Sequence, residues 1–328
     1  MSDLSMTTSR DTGTAASASG ETGGYHEPVM AEETLGYLLR GGEGLYLDGT
    51  VGGGGHTRLL LERCGACRVI AVDRDPRALE EARMALEPYA GRVRFLRARF
   101  DEAPRDPEVR DRGLAGALLD LGVSSHQLDA DERGFTFRRG VTLDMRMDPG
   151  QEGDAARLLN EADEATLARV FHELGEEPAA RRLAREIVKR RKTEPLRTSD
   201  DLVAAMRVAL RRPPTPRDKA RIFQAVRLAV NEELEALERA LPALRDVLNE
   251  GGVLVVISYH SLEDRLVKNA FREWSRACIC PPELPVCTCR GRPLGETLTR
   301  KPLRPGDEEV SRNPRARSAR LRAWRKAA

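Results

Sequence analysis

The sequence predicts an α/β fold in which a mainly parallel sheet is interrupted by an inserted all-helical unit. Three observations predict it. Short apolar strand patterns alternate with helical spacing up to residue 120, the alternation that builds parallel sheets with right-handed crossovers. From residue 132 to 220 the pattern is polar and helical, without a convincing strand. The apolar run GVLVVIS at 252–258 then restores the sheet. A chain of 328 residues, 40% hydrophobic and 32% charged, is large enough for one α/β domain with an insertion or for two modest domains.

Each element follows in order. Residues 25–40 read as an amphipathic leading helix. Residues 44–48 (GLYLD) form a first strand that runs into glycines, and 56–64 has helical apolar spacing. The run RVIAVD at 68–73 is a second buried strand. Pro76 then opens a helix over 76–86, at a first-turn position where proline is tolerated. Residues 93–98 and 115–120 are the third and fourth strands. Helices are expected over 154–160, 165–175, 178–192 and 199–210, with RRPPTP at 211–216 as a loop. A long helix over 222–248 is expected to break near Pro242. Residues 278–299 read as irregular, and 318–324 as a final strand. The domain boundaries are therefore a disordered leader at 1–24, a sheet domain at 25–131 and 221–328, and a helical domain at 132–220.

The chemistry gathers at strand ends, where open α/β sheets bind ligands. Asp48-Gly-Thr-Val-Gly-Gly-Gly-Gly-His56 follows the first strand and opens a helix. Glycines there let the backbone approach a ligand closely. A dinucleotide site uses the same device, but an acid just before the glycines is awkward for a pyrophosphate and suits the ammonium of S-adenosylmethionine. Asp73 ends the second strand, 18 residues after Gly55, where a carboxylate accepts hydrogen bonds from ribose hydroxyls; a helix cap is the other reading. Phe100 follows the third strand and can pack on adenine or in the core. Asp120-Leu-Gly-Val-Ser-Ser-His-Gln127 follows the fourth strand. Asp120 and the Ser124 hydroxyl there are candidate acceptors for the hydrogens of an exocyclic amine. His260, in SYHSLEDR after the fifth strand, is a candidate contact to base or phosphate, set against an ordinary structural role.

These motifs together resemble one family. HEPVM (26–30), DGTVGGGGH (48–56), DRDP (73–76), LDLGVSSHQLD (119–129), RGFTF (133–137), LDMRMD (143–148), FQAVRLAVNEEL (223–234), SYHSLEDR (258–265) and NPRARSARLR (313–322) occur in the order found in MraW-type ribosomal RNA small-subunit methyltransferases. The resemblance covers residue 25 to the C-terminus. It implies a Rossmann-like class I S-adenosylmethionine-dependent methyltransferase fold with an inserted helical domain. It implies N4-methylation of a cytosine in the decoding region of 16S rRNA. It also implies cofactor contacts at Gly54, Gly55, His56, Asp73, Phe100, Asp120 and Gln127; spacing alone does not select His56 or Gln127. The catalytic candidates remain Asp120, Ser124 and His260. No Pro-Pro-aromatic follows Asp120, unlike the loop common in DNA amino-methyltransferases, so an aromatic stack on the target base must come from elsewhere or be absent; DNA is not an expected partner. Phe135 and Phe137 are candidates to stack on the target base, against a core role.

Basic clusters at 181–192, 207–221 and 312–326 can neutralise RNA phosphates, or be solvated helix faces. With a net charge of only +2, acids must then occupy other faces. The expected partner is 16S rRNA within the small ribosomal subunit or its precursor, with a homodimer left open. The residues offer neither a membrane span nor a secretory signal, so a cytoplasmic location is expected. A cofactor-binding RNA assembly protein without catalysis, or a methyltransferase for a small molecule or protein, are the competing readings. Cys278, Cys280, Cys287 and Cys289 form a CxC…CxC group that could hold Zn²⁺ or be free thiols in a loop. The family activity implies no metal, and none is assigned to the site. Cys64 and Cys67 read as unpaired.

Overall fold

A computed structural model describes residues 28–124, 127–128, 130–280 and 288–328. The leader expected at 1–24 lies outside them. Seven strands form one sheet: β1 (Leu45–Asp48), β2 (Arg68–Asp73), β3 (Val93–Arg97), β4 (Leu114–Asp120), β5 (Leu248–Ser258), β6 (Gly295–Thr297) and β7 (Arg320–Lys326). Their order is β3-β2-β1-β4-β5-β7-β6. All neighbours run parallel except β7, which is antiparallel to both β5 and β6. Strand order reverses between β1 and β4, so the carboxyl ends of these two strands form the switch point where open sheets bind ligands.

The strands are apolar on both faces because both faces are covered. Tyr46, Val69, Ala71 and Val255 pack under Leu35, Leu38, Leu60 and Leu61 on one side. Leu47, Ile70, Leu119 and Val256 pack under Leu241, Leu244 and Phe271 on the other, with Trp324 filling that layer's end. Continuous burial of this kind yields unbroken apolar runs rather than alternation, which is why the strand predictions agree with the structure to within a few residues. β6 is the exception. It pairs with β7 through three residues in a segment with no apolar pattern.

Between β4 and β5 the described residues contain helices and no strand. They build a separate apolar cluster from Phe135 to Val226, including Phe171, Leu183, Ile187, Leu202 and Met206. This cluster reaches past residue 220 because the helix expected at 222 starts at Pro216. Thr215 caps it in a capping box with Asp218, and Pro216 sits at the first helical turn. The loop RRPPTP thus ends as a helix start. The break also moves. Pro242 lies inside the helix Glu233–Val247, and the interruption falls at Glu232, which adopts left-handed backbone (φ 50°) between the two helices. No helix among the described residues is long and apolar enough to cross a membrane.

Asn231, the last residue before that break, ties the helical unit to the sheet. Its buried amide accepts from Met147 N–H (2.9 Å) and Arg74 Nη2 (2.5 Å) and donates to the carbonyls of Met145 (2.7 Å) and Arg227 (2.9 Å). Gly134 makes the chain's turn into this unit. Its φ is 74°, and a Cβ there would lie 2.5 Å from the Thr142 carbonyl oxygen, so only glycine fits. Cys64 and Cys67, expected to be unpaired, form a disulfide across the Gly65-Ala66 turn. That turn holds their Cα atoms 5.4 Å apart, within disulfide range.

Candidate functional site

A cavity of ≈ 1230 Å³ opens at the carboxyl ends of β1, β2 and β4. Its volume exceeds the roughly 300–1,000 Å³ of sites for one small ligand. It is lined by the glycine loop at 49–53, by Asp73 and Phe100, by the 120–124 loop with Gln127, by Tyr259, and by Asn313–Ser318. Met147, Arg227 and Asn231 supply the wall on the helical-unit side.

The glycine loop is shaped by the two acids that flank it. Asp48 is buried and accepts from Thr57 Oγ1 (2.7 Å) and Thr50 N–H (3.2 Å). Burial pushes its carboxyl up from the ordinary range, with the Thr57 bond and neighbouring His56 opposing. Asp73 accepts from Gly52 N–H (3.1 Å) and Asp75 N–H (2.9 Å), which pins the loop to the end of β2. Desolvation there raises its pKa to about 6 despite both amide bonds. Gly53 lines the cavity, and a Cβ on it would meet no atom within 4 Å. No packing contact demands glycine there, and the open space leaves the backbone accessible from the cavity. Gly54 does not line the cavity. It makes the turn into the helix Gly55–Arg63 at φ 86°, against Leu86.

Asp120 ends β4 with its backbone N–H on Thr50 Oγ1 (2.7 Å). Tyr259, just after β5, donates its hydroxyl to Asp120 Oδ1 (2.8 Å). His56 Nδ1 stands 3.9 Å from Asp120 Oδ2. The other His56 nitrogen, Nε2, lies 2.9 Å from the Val29 carbonyl oxygen. A carbonyl can only accept, so Nε2 carries a proton, and Nδ1 is the nitrogen that faces Asp120. Desolvation raises the Asp120 pKa to about 6; His56 and the tyrosine hydroxyl pull it down, and nearby Asp48 and Glu263 push it up. Tyr259 itself is held well above 10, by burial first and by Asp120 second.

Ser124 and Gln127 brace one another. Ser124 N–H donates to Gln127 Oε1 (3.0 Å) and Gln127 N–H to Ser124 Oγ (3.2 Å). Gln127 Nε2 then reaches Asp75 Oδ2 (2.9 Å), and Arg133 pairs with the same oxygen at 2.8 Å. Asp75 therefore joins the ends of β2 and β4 to the first turn of the helical unit.

Of the sequence candidates, Gly55, His56, Asp73, Phe100, Asp120, Ser124 and Gln127 line one cavity. His260 does not. Its ring caps the helix Ser261–Trp274 and stands 3.1 Å from the buried Glu263 carboxylate. Burial alone would raise Glu263, yet the contact with His260 holds it below the ordinary glutamate range. Tyr259, one residue earlier, is the side chain that reaches the site. Phe135 and Phe137 also stand apart from it: Phe135 packs in the helical core and Phe137 edge-on to Phe223. Phe100 and Tyr259 are the aromatic side chains of the lining. The basic clusters are partly structural. Arg320 and Arg322 pair with Asp264, Arg325 with Glu296, and Arg221 with Glu177. Arg315 and Arg317, exposed on the cavity wall, are the cations of those clusters that face the site.

Similarity to known proteins agrees with this geometry. Residues 24–327 match the model of the MraW methylase family. A relative in Gemmatimonas aurantiaca, named ribosomal RNA small subunit methyltransferase H, is 55% identical over 94% of this chain and 98% of its own. Proteins of the same name in Heliobacterium modesticaldum and Geobacter sulfurreducens are each 48% identical, over 92% of this chain and 98% of theirs. With the motifs in one cavity at the switch point and the match spanning nearly the whole sequence, this chain belongs to the MraW methylase family.

Proposed function

We propose that the chain transfers a methyl group from S-adenosylmethionine to the exocyclic N4 amine of a cytosine in the decoding region of 16S rRNA. The observation that carries the reading is Asp120. It is a desolvated carboxylate at the switch point, held by Tyr259, in a cavity large enough for a cofactor and an extruded base. The names of the relatives support ribosomal RNA of the small subunit as the substrate. The expected setting is the cytoplasm, on the small ribosomal subunit or its precursor.

The lining fits the cofactor. The backbone at Gly53 leaves room for close approach, Asp73 offers carboxylate oxygens to ribose hydroxyls, and Phe100 offers an apolar face to adenine. His56 and Gln127 complete the wall around them. When bound, S-adenosylmethionine supplies an electrophilic methyl group. The cytosine amine is a poor nucleophile because its lone pair is delocalised into the ring. Asp120, ionised above pH about 6, accepts an amino hydrogen and so turns electron density toward the methyl group. Tyr259 fixes which carboxylate oxygen is available, by occupying Oδ1 and leaving Oδ2 beside His56. As the N–C bond formed, the methyl group's bond to the sulfonium sulfur would break and its electron pair would stay on a neutral thioether; the N4 cation, strongly acidic, would lose its proton to Asp120 or to water. The Ser124 hydroxyl is a second acceptor on the same loop. In this reading the helical unit, residues 132–220 with the helix that follows, closes the mouth from one side. Arg315 and Arg317 meet phosphates on the other.

Mass spectrometry of 16S rRNA from a deletion strain tests the function. N4-methylcytidine in the decoding region is expected to vanish and to return on complementation; an unchanged level refutes the reading. Substituting Asp73→Ala tests the ribose contact. Losing hydrogen bonds to a charged acceptor costs about 1.5–3 kcal/mol, or roughly 10–100-fold in cofactor affinity. Unchanged affinity by calorimetry removes that role from Asp73.

A further inference from the structure

The three cysteines Cys278, Cys280 and Cys289 lie outside the cavity, in the segment that joins the helix Ser261–Trp274 to β6. Their sulfurs all lie within 4.8 Å of one another. The segment's base is fixed. Arg290 donates to the Glu273 carboxylate (2.9 Å) and to the carbonyls of Glu273 (2.6 Å) and Arg276 (3.2 Å), while Leu294 N–H donates to the Trp274 carbonyl (2.8 Å). Beneath it, Phe271, Trp274 and Trp324 form a packed aromatic group. Above that floor apolar support runs out: Ile279, between two of the cysteines, is 41% exposed.

We propose that Cys278, Cys280 and Cys289 are ligands of a structural zinc ion. Zinc–thiolate bonds of about 2.3 Å at tetrahedral angles put neighbouring sulfurs about 3.8 Å apart. Cys278 Sγ and Cys289 Sγ are 3.8 Å apart, and Cys280 Sγ lies within 4.8 Å of both. Ile279 N–H points at Cys289 Sγ (3.4 Å), the kind of backbone donor that stabilises a thiolate ligand. Soft sulfur donors clustered in a shape with tetrahedral spacing select zinc over hard cations such as magnesium or calcium. The CxC spacing differs from the usual CxxC knuckle. Cys287 stands two residues before Cys289 in the sequence, outside the described residues, and the three described sulfurs carry the assignment. Bound metal clips the segment against the end of the sheet, and the methyl-transfer cavity shares none of these ligands.

Elemental analysis of the full chain, purified under reductant and without chelator, tests the proposal. About one equivalent of zinc is expected, and cobalt substitution is expected to give thiolate charge-transfer absorption with tetrahedral d–d bands. The Cys278→Ser/Cys289→Ser variant is expected to lose both the metal and the cobalt bands while still binding S-adenosylmethionine. The Cys64→Ser/Cys67→Ser variant is expected to keep them. Less than about a quarter equivalent of zinc in the parent chain overturns the assignment. So does copper or iron in its place, or metal retained by the Cys278→Ser/Cys289→Ser variant. Where that variant fails to fold, removal of zinc from the parent by chelator and recovery of the cobalt spectrum on reloading decide the same question.

Discussion

Replacing Asp120 with Asn lowers kcat by about 10²-fold or more, the scale on which positioned proton acceptors act, while cofactor affinity changes little. Asn keeps an oxygen for the Tyr259 hydroxyl, now 2.8 Å from Asp120 Oδ1, so the geometry survives and the negative charge does not. The loss therefore belongs in kcat, where an interaction strengthened in the transition state is read. In the parent enzyme the rate rises with pH through about 6, as Asp120 ionises, and levels above it; the Asn variant lacks that limb. Single-turnover methylation of small-subunit RNA across pH, with calorimetry for the cofactor, checks both parts. A variant with the parent's kcat removes Asp120 from the chemistry.

The same substitution carries an opposite prediction for stability. The folded-state pKa of Asp120, about 6, is raised above that of an unfolded aspartate. The folded chain therefore binds the proton more tightly. Its contribution to stability is complete below pH 4 and is lost as pH rises through 6, so at neutral pH the ionised carboxylate costs on the order of 2–3 kcal/mol. Asn removes that cost. The variant is expected to melt higher than the parent at pH 7 and to converge with it near pH 4. In the proposed role, stability given up at Asp120 is the usual exchange of stability for activity.

Much of this site was legible in the sequence because it follows from strand ends. Asp48, Asp73 and Asp120 each close a buried apolar run, and parallel topology brings such ends together whatever lies between them. The glycines report backbone geometry directly. What escaped depends on the side-chain direction of single residues. His260 drew attention as a titratable group, yet His260-Ser-Leu-Glu263 has the spacing of a capping box, with the ring serving the helix start. Nothing in one dimension says that the Tyr259 hydroxyl meets Asp120, 139 positions away. The basic clusters misled in the same way. The partners of Arg320, Arg322 and Arg221 are acids distant in sequence, so a run of arginines overstated the charge available to RNA. The helix start at Pro216 was legible in principle, from Thr215 and Asp218 at capping-box spacing, but the prolines before it read as loop.

Asp75 was not among the site candidates, and its removal carries the largest expected effect on the fold. The carboxylate is 1% exposed and has three obligations. It caps the helix Pro76–Ala85 through Arg77 N–H (3.1 Å), accepts from Gln127 Nε2 (2.9 Å) and pairs with Arg133 at 2.8 Å. Arg133 is itself buried, and its guanidinium also holds the carbonyls of Arg146 and Met147 (both 3.0 Å) in the LDMRMD segment. Asp75→Ala thus leaves a buried guanidinium without its counter-charge, a defect that costs about 3–5 kcal/mol, and the lost cap adds about 1 kcal/mol. Removing Arg133 as well takes away the stranded charge, so Asp75→Ala/Arg133→Leu is expected to lose less than the sum of the two single substitutions. Denaturant unfolding of the three variants measures this coupling. Cofactor affinity falls in Asp75→Ala too, because the bond that orients Gln127 is gone and the peptide N–H that braces Asp73 is loosened with it. A single variant within about 1 kcal/mol of the parent, or additive losses in the cycle, shows that the pair is dispensable. The three elements it joins are then held by their other contacts, Asn231 and the Arg77–Glu132 pair among them.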